Sequence, residues 1–142
     1  MAENTKSAVL RRAIEICIRP DEPALAGLST VFTEDASVWS PNLLAVGIAD
    51  IAASLEQRED TFSDVEIEFD TLTTTGALGI AEFRVLATFS GPFALDDEVV
   101  VPPNGQRLLL GAAAIADFDG DRIKAIRAYF DDATLLEQML AS

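Results

Sequence analysis

The chain has 142 residues, 49% hydrophobic and 24% charged, a length and balance that fit one domain over residues 1–142 and exclude a disordered polymer or a membrane bundle. Ten Lys and Arg against 24 Asp and Glu give a net charge of −14, which repels nucleic-acid phosphates and anionic membrane surfaces, so neither is an expected partner. Histidine is absent, which removes imidazole acid–base chemistry, His-ligated metals and the Ser-His-Asp and Cys-His nucleophile systems together.

The opening Met1–Ser7 lacks the basic and apolar regions of an export signal. A cytoplasmic location is the expectation. From Ser7 to Arg19 the apolar residues Leu10, Ala13, Ile14, Cys17 and Ile18 recur at helical spacing. Cys17 falls on the buried side of that helix, with no second cysteine to pair with and no histidine to activate it. Pro20 ends the helix, and Asp21-Glu22-Pro23 supplies an acidic cap and a first-turn proline for a second helix reaching about Phe32. Thr33-Glu34-Asp35 reads as a turn and Ser37–Ser40 as a short strand closed by Pro41. A third helix near Gly47–Glu59 gathers Ile48, Ile51, Ala52 and Leu55 on one face.

The period then changes from helical to alternating. In Asp64–Thr74, Val65, Ile67 and Phe69 point one way while Glu66, Glu68 and Asp70 point the other. After a turn at Gly76–Gly79, Ala81, Phe83, Val85, Ala87 and Phe89 alternate with Glu82, Arg84 and Thr88. Gly91–Gly105, with its acidic and Pro-Pro-Asn-Gly clusters, reads as a surface loop or extended hairpin. Gln106–Phe118 is apolar at both parities, as a strand buried on two faces would be. Its longest apolar run, Leu108–Ala116, has nine residues, far short of the roughly 20 that span a bilayer. Asp119-Gly120 marks a hairpin, Arg122–Phe130 the returning strand, and Asp132–Leu140 a closing helix with Thr134 and Glu137 at capping-box spacing. The predicted class is α+β: helices and a short strand first, then four long antiparallel strands and a short C-terminal helix.

Several segments carry a family likeness by their order and spacing: Val31–Pro41, Gly47 with Ile51, Pro102–Gly105, Phe118–Ile123, Arg127–Asp131 and Leu135–Gln138. Together they resemble the nuclear transport factor 2-like superfamily, and within it the SnoaL-like group of polyketide cyclase and ketosteroid isomerase relatives. The resemblance spans nearly the whole chain. It implies a cone-shaped, curved antiparallel sheet around an apolar cavity, three N-terminal helices closing it, and commonly a homodimer through the outer sheet face.

Fold alone does not assign an activity, so the residues at the relatives' chemical positions decide. The resemblance sets the ketosteroid isomerase general base at Ser40, the acidic oxyanion donor at Ala114 and the helix-one tyrosine at Ala13 or Ile14. It sets the Arg-x-Asp of limonene-type epoxide hydrolases at Phe83 and Val85 and their third acid at Ala128, where SnoaL-like cyclases also carry an acid. Every matched position is neutral or apolar.

Other chemistry-bearing residues have plainer readings. Glu82 and Arg84 have the parity of the outer surface, where they read as an ion pair. Asp117, Asp119 and Asp121 open like a calcium loop, yet Arg122 replaces the required glycine and Ala128 the bidentate acid. Asp131 and Asp132 are either a carboxylate at the barrel rim or a helix cap. Tyr129 points into the cavity or joins the outer face beside Arg127.

The expected ligand is a hydrophobic, oxygen-bearing small molecule such as a polyketide, terpenoid or steroid-like compound, with no metal or organic cofactor. Trp39, Asn42, Phe83, Val85, Ala114 and Ala128 are the candidate lining. Ser40 and Asp131 are the candidate groups for an isomerase, cyclase or lyase reaction. The alternative is a non-catalytic binding or dimerisation module of the same fold.

Overall fold

A computed structural model describes residues 4–20, 26–41, 43–57 and 60–141. Helix α1 (Thr5–Ile18) starts at Asn4, whose side chain accepts from the Ser7 amide at 2.8 Å and so satisfies one of the free N–H groups of the first turn. The apolar spacing read in the sequence buries Leu10, Ala13 and Ile14 against the sheet. Helix α2 (Leu28–Val31) leads into strand β1 (Phe32–Ser40), which turns at Pro41 into β2 (Leu43–Val46), and α3 (Ile48–Glu56) follows. The long strands are β3 (Phe62–Thr75), β4 (Leu78–Phe89), β7 (Arg107–Asp119) and β8 (Arg122–Phe130). A small hairpin, β5 (Phe93–Ala94) with β6 (Val100–Val101), lies between β4 and β7, and α4 (Asp132–Leu140) closes the chain.

The six longer and edge strands form one curved sheet in the order β2-β1-β8-β7-β4-β3. Neighbours are antiparallel except β1 and β8, which run parallel. The pairing stacks core-face residues into rows across the strands. One row is Leu72, Ala81, Ala114, Ala128, and the next is Phe69, Phe83, Ala112, Phe130. Helix α1 lies along β3, where the Asn4 amide donates to Thr74 Oγ1, Lys6 Nζ to the Gly76 carbonyl and Arg19 to the Val65 carbonyl. The helix approaches closely because Gly79 has no side chain: a Cβ there would stand 3.0 Å from both Leu10 and Phe118.

A second, smaller cluster, Phe89, Val101, Leu108 and Met139 with Phe93 and Leu135, joins α4 and the hairpin to the far end of β4 and β7. Strand β8 stops at Phe130, opposite Ala112, which leaves the adjoining edge of β7 open. The Gln138 side-chain amide fills it: Nε2 donates to the Leu109 carbonyl at 2.8 Å and Oε1 accepts from the Leu109 N–H at 2.9 Å. A side chain thus mimics a strand partner and satisfies the edge. Asn104 Nδ2 holds the same helix by donating to the carbonyls of Gln138, Met139 and Ala141.

The predicted α+β class and four long strands stand. The differences cluster near the N-terminal half. Thr33-Glu34-Asp35 is not a turn but an irregularity inside β1, where the register shifts between Phe32 and Ser37, and Thr33 Oγ1 donates to Asp35 Oδ1. Pro41 does not end the sheet locally, since β2 returns along β1 immediately afterwards. The proposed cap Asp21-Glu22-Pro23 lies outside the described residues. The last helix is capped by Asp131, not by a Thr134–Glu137 box.

Candidate functional site

Burial along the core face is graded, and the gradient locates the candidate site. Toward one end of the strands Phe32, Ala36, Ala81, Ala116, Phe118 and Ile123 are buried under α1 and α2. Toward the other end, Ile67, Phe69, Leu110, Ala112, Ala128 and Phe130 pack against the same core while remaining partly exposed. Beyond Leu110 the face is buried again at Leu108 by the α4 cluster. The half-buried belt therefore lies between two packed regions. Phe69, Phe83 and Phe130 form its aromatic row, with ring centroids 5.8 Å apart for the first pair and 6.5 Å for the second, distances at which tilted and edge-on rings attract.

Polar groups on this side are few. Ser40 is half-buried and shares the parity of Ala36 and Val38, so its hydroxyl belongs to the core face; Trp39 opposite Arg127 sets Ser40 beside Ala128 one step on. Cys17 of α1 is half-buried against the same cluster. Among the described residues the buried polar side chains are Ser7, Thr33 and Thr61, and none of them ionises near neutral pH. Among those residues no group of three or more acidic or thiol side chains is arranged to hold a metal ion.

The ionisable side chains of the long strands occupy the opposite face. Arg84 of β4 pairs bidentately with Asp70 of β3, at 2.9 and 3.1 Å, and reaches Glu68 at 3.1 Å. The hydrogen bond to Asp70, then the attraction of Asp70 and Glu68, pushes its guanidinium pKa up, so it stays charged throughout the accessible range. The ion pair therefore crosses strands, and Glu82 is not the partner of Arg84. Asp117 pairs with Arg127 at 2.9 Å on the same face, and the turn at Gly120 is a tight hairpin.

A model of the SnoaL-like polyketide cyclases matches residues 8–139. The chain belongs to that family. Solved structures give the same fold at low identity. A proposed polyketide cyclase from Acidithiobacillus ferrooxidans superposes with a TM-score of 0.78 at 15% identity, covering 98% of this chain and 97% of that one. TsrD from Streptomyces laurentii gives 0.75 at 16%, covering 100% and 99%. A protein of ketosteroid isomerase-like fold from Catenulispora acidiphila gives 0.70 at 13%, covering 92% and 91%. No curated protein matches the sequence significantly.

The residues singled out in the sequence do not all share one surface. Ser40 and Ala128 are half-buried at the belt, while Phe83, Val85 and Ala114 lie on the same face in the rows that cross it and are buried. Trp39 is on the other face: its ring packs on Tyr129 at 5.3 Å between centroids, and both are exposed. Adjacent residues of a strand face opposite ways, so Trp39 and Ser40 do not share a surface. Asp131 is exposed and accepts from the Thr134 amide as the cap of α4. Asn42 lies outside the described residues. The sequence reading missed Ile67, Leu110, Ala112 and Phe130 as belt residues; strand register brings them together, and only their parity signalled it.

Proposed function

We propose that this SnoaL-like protein binds a hydrophobic, oxygen-bearing small molecule in a hollow lined by the half-buried belt. The observation that carries the reading is the belt itself: apolar side chains left partly uncovered between two packed clusters, with the Ser40 hydroxyl at its β1 end. A hydroxyl can orient a carbonyl or alcohol by hydrogen bonding. Unaided, it is a poor base near neutral pH, and neutral residues at each matched acid position favour positioning and desolvation over proton transfer.

Titration calorimetry with methyl naphthoate, a flat neutral ester, tests the hollow. Saturable binding is expected, together with its loss in Ala112→Leu, which fills the centre of the aromatic row. Tyr129→Ser on the opposite face should leave binding unchanged. Equal affinity in all three proteins would place the ester elsewhere and remove the proposal.

A second reading concerns the other sheet face. Leu44 is 65% exposed, Tyr129 46% and Trp39 36%, and pairing sets Trp39 beside Leu44 on one side and Arg127 on the other. Glu66, Glu68 and Asp70 lie on the far strand of that face. A second copy of the chain fits the apolar end, because a two-fold contact there keeps the acidic strands apart. Light scattering is expected to give a dimer that Tyr129→Glu dissociates, and a monomeric wild-type protein at micromolar concentration would refute it.

A further inference from the structure

The wall of the belt at its Leu110 end is a separate piece of the structure. Phe89, Val101, Leu108 and Met139 form a cluster of their own, distinct from the main core. Helix α4 contributes Met139 to it as its buried side chain, with Leu135 half-buried beside it. The nine residues of α4 fall short of the roughly 12 that an isolated helix needs in water, so the helix depends on what clips it to the sheet. Two side-chain amides do this. Gln138 bridges both backbone groups of Leu109, and Asn104 donates to the carbonyls of Gln138, Met139 and Ala141.

We propose that α4 is the gate of the hollow: it releases from β7 as a unit about Asp131, admits the ligand past Leu108, and closes again with Gln138 and Asn104 as its latches. The proposal rests on the ligand-binding reading above.

Three features favour release at this element. The Gln138 bonds to Leu109 are exposed, so water takes over both partners as they separate. The Asp131 N–H donates to the Gly111 carbonyl at 3.0 Å, which keeps the end of β8 on the sheet while the helix beyond it moves. Leu108 occupies the core-facing position next to Leu110 on β7, so lifting Leu135 and Met139 uncovers apolar surface continuous with the belt. The main core under α1 and α2 belongs to the other cluster and stays packed. Opening is therefore local, and a segment of low local stability is the kind that gates a closed site.

Stopped-flow mixing with methyl naphthoate, followed by the fluorescence of the ester, tests the gate. Ligand enters the open fraction, so the apparent association rate scales with that fraction. Gln138→Ala should raise the association and dissociation rate constants together by about tenfold, equivalent to about 1.4 kcal/mol, and leave Kd within about threefold. Asn104→Asp removes the donor to α4 while keeping an acceptor for the Gln106 N–H, and it should shift both rates in the same direction. Binding retained with both rates unchanged in the two variants overturns the gate and leaves the hollow standing. A weaker Kd without faster association also overturns it, since that is the behaviour of a fixed wall. If the ester does not bind the wild-type protein, the hollow and the gate fall together.

Discussion

Ser40→Asp is the most direct probe of the belt, because it places a carboxylate at the position the resemblance gives to a ketosteroid isomerase base. Ser40 is half-buried, follows Val38 on the core face and has Ala128 as its neighbour on β8. The nearest β8 cation, Arg127, is turned to the other face and paired with Asp117. Desolvation without a compensating charge raises a carboxyl pKa; a shift of about one to two units from roughly 3.9 corresponds to about 1.4–2.7 kcal/mol. The folded-state value is then above the unfolded one, so the folded state binds more protons across that interval and stability falls as pH rises through it. The penalty is absent below about pH 3.5, grows between about pH 4 and 6, and is constant above. Urea denaturation of Ser40→Asp and Ser40→Asn in parallel over this range isolates the charge, since the other acids contribute equally to both. A difference that stays flat from pH 3.5 to pH 7 would mean that Ser40 faces bulk water, and the belt would not be a desolvated surface.

Other substitutions test the framework that holds the belt. Phe83→Ala removes the buried centre of the aromatic row and should cost about 3–4 kcal/mol in chemical denaturation. Gln138→Ala uncovers the β7 edge at Leu109; a loss of about 1–2 kcal/mol is expected, with amide exchange at Leu109 accelerated selectively in hydrogen-exchange measurements. Gly91→Ala drives a Cβ into the Asp60 carbonyl next to the Gly91–Thr61 backbone bond, so a loss of about 2 kcal/mol or more should appear as a lowered melting temperature.

Strand parity was the legible part of this molecule. Val65, Ile67 and Phe69 against Glu66, Glu68 and Asp70 assign the two faces of β3 before any coordinates, and Ala81 to Phe89 do the same for β4. Register was not legible. That Ala112 lies between Phe83 and Phe130 depends on pairings between residues far apart in the chain, and alternation carries no information about them. The difference at Trp39 has a local cause of its own: Trp39 taken as lining beside a candidate Ser40 conflicts with strand alternation over Ser37–Ser40, which puts the two on opposite faces. Strand β2 is not legible because Pro41 reads as a terminator, although a proline in the turn between two strands removes no ladder hydrogen bond. Asp131 illustrates an ambiguity composition leaves open, since an acid preceding a helix has the same sequence signature whether it caps or catalyses.

The belt also bears on how such a fold loses or keeps its chemistry. An ionisable group on the core face must overcome its own desolvation, and the groups that offset this have to be built around it. Here the central positions of the sheet are Ala112, set between Phe83 and Phe130, and the neighbouring row Ala81, Ala114 and Ala128, and the charged side chains of the long strands lie on the opposite face, where Arg84 and Arg127 pair with acids. If those positions had become ordinary core, close packing would favour larger side chains, because an unfilled gap forfeits dispersion contacts. Alanine at these positions leaves small, neutral side chains on the core face. Ala112 and Ala128 are half-buried while Ala114, the pairing partner of Ala128, is fully covered, so the uncovered apolar surface lies at the belt, next to Ser40.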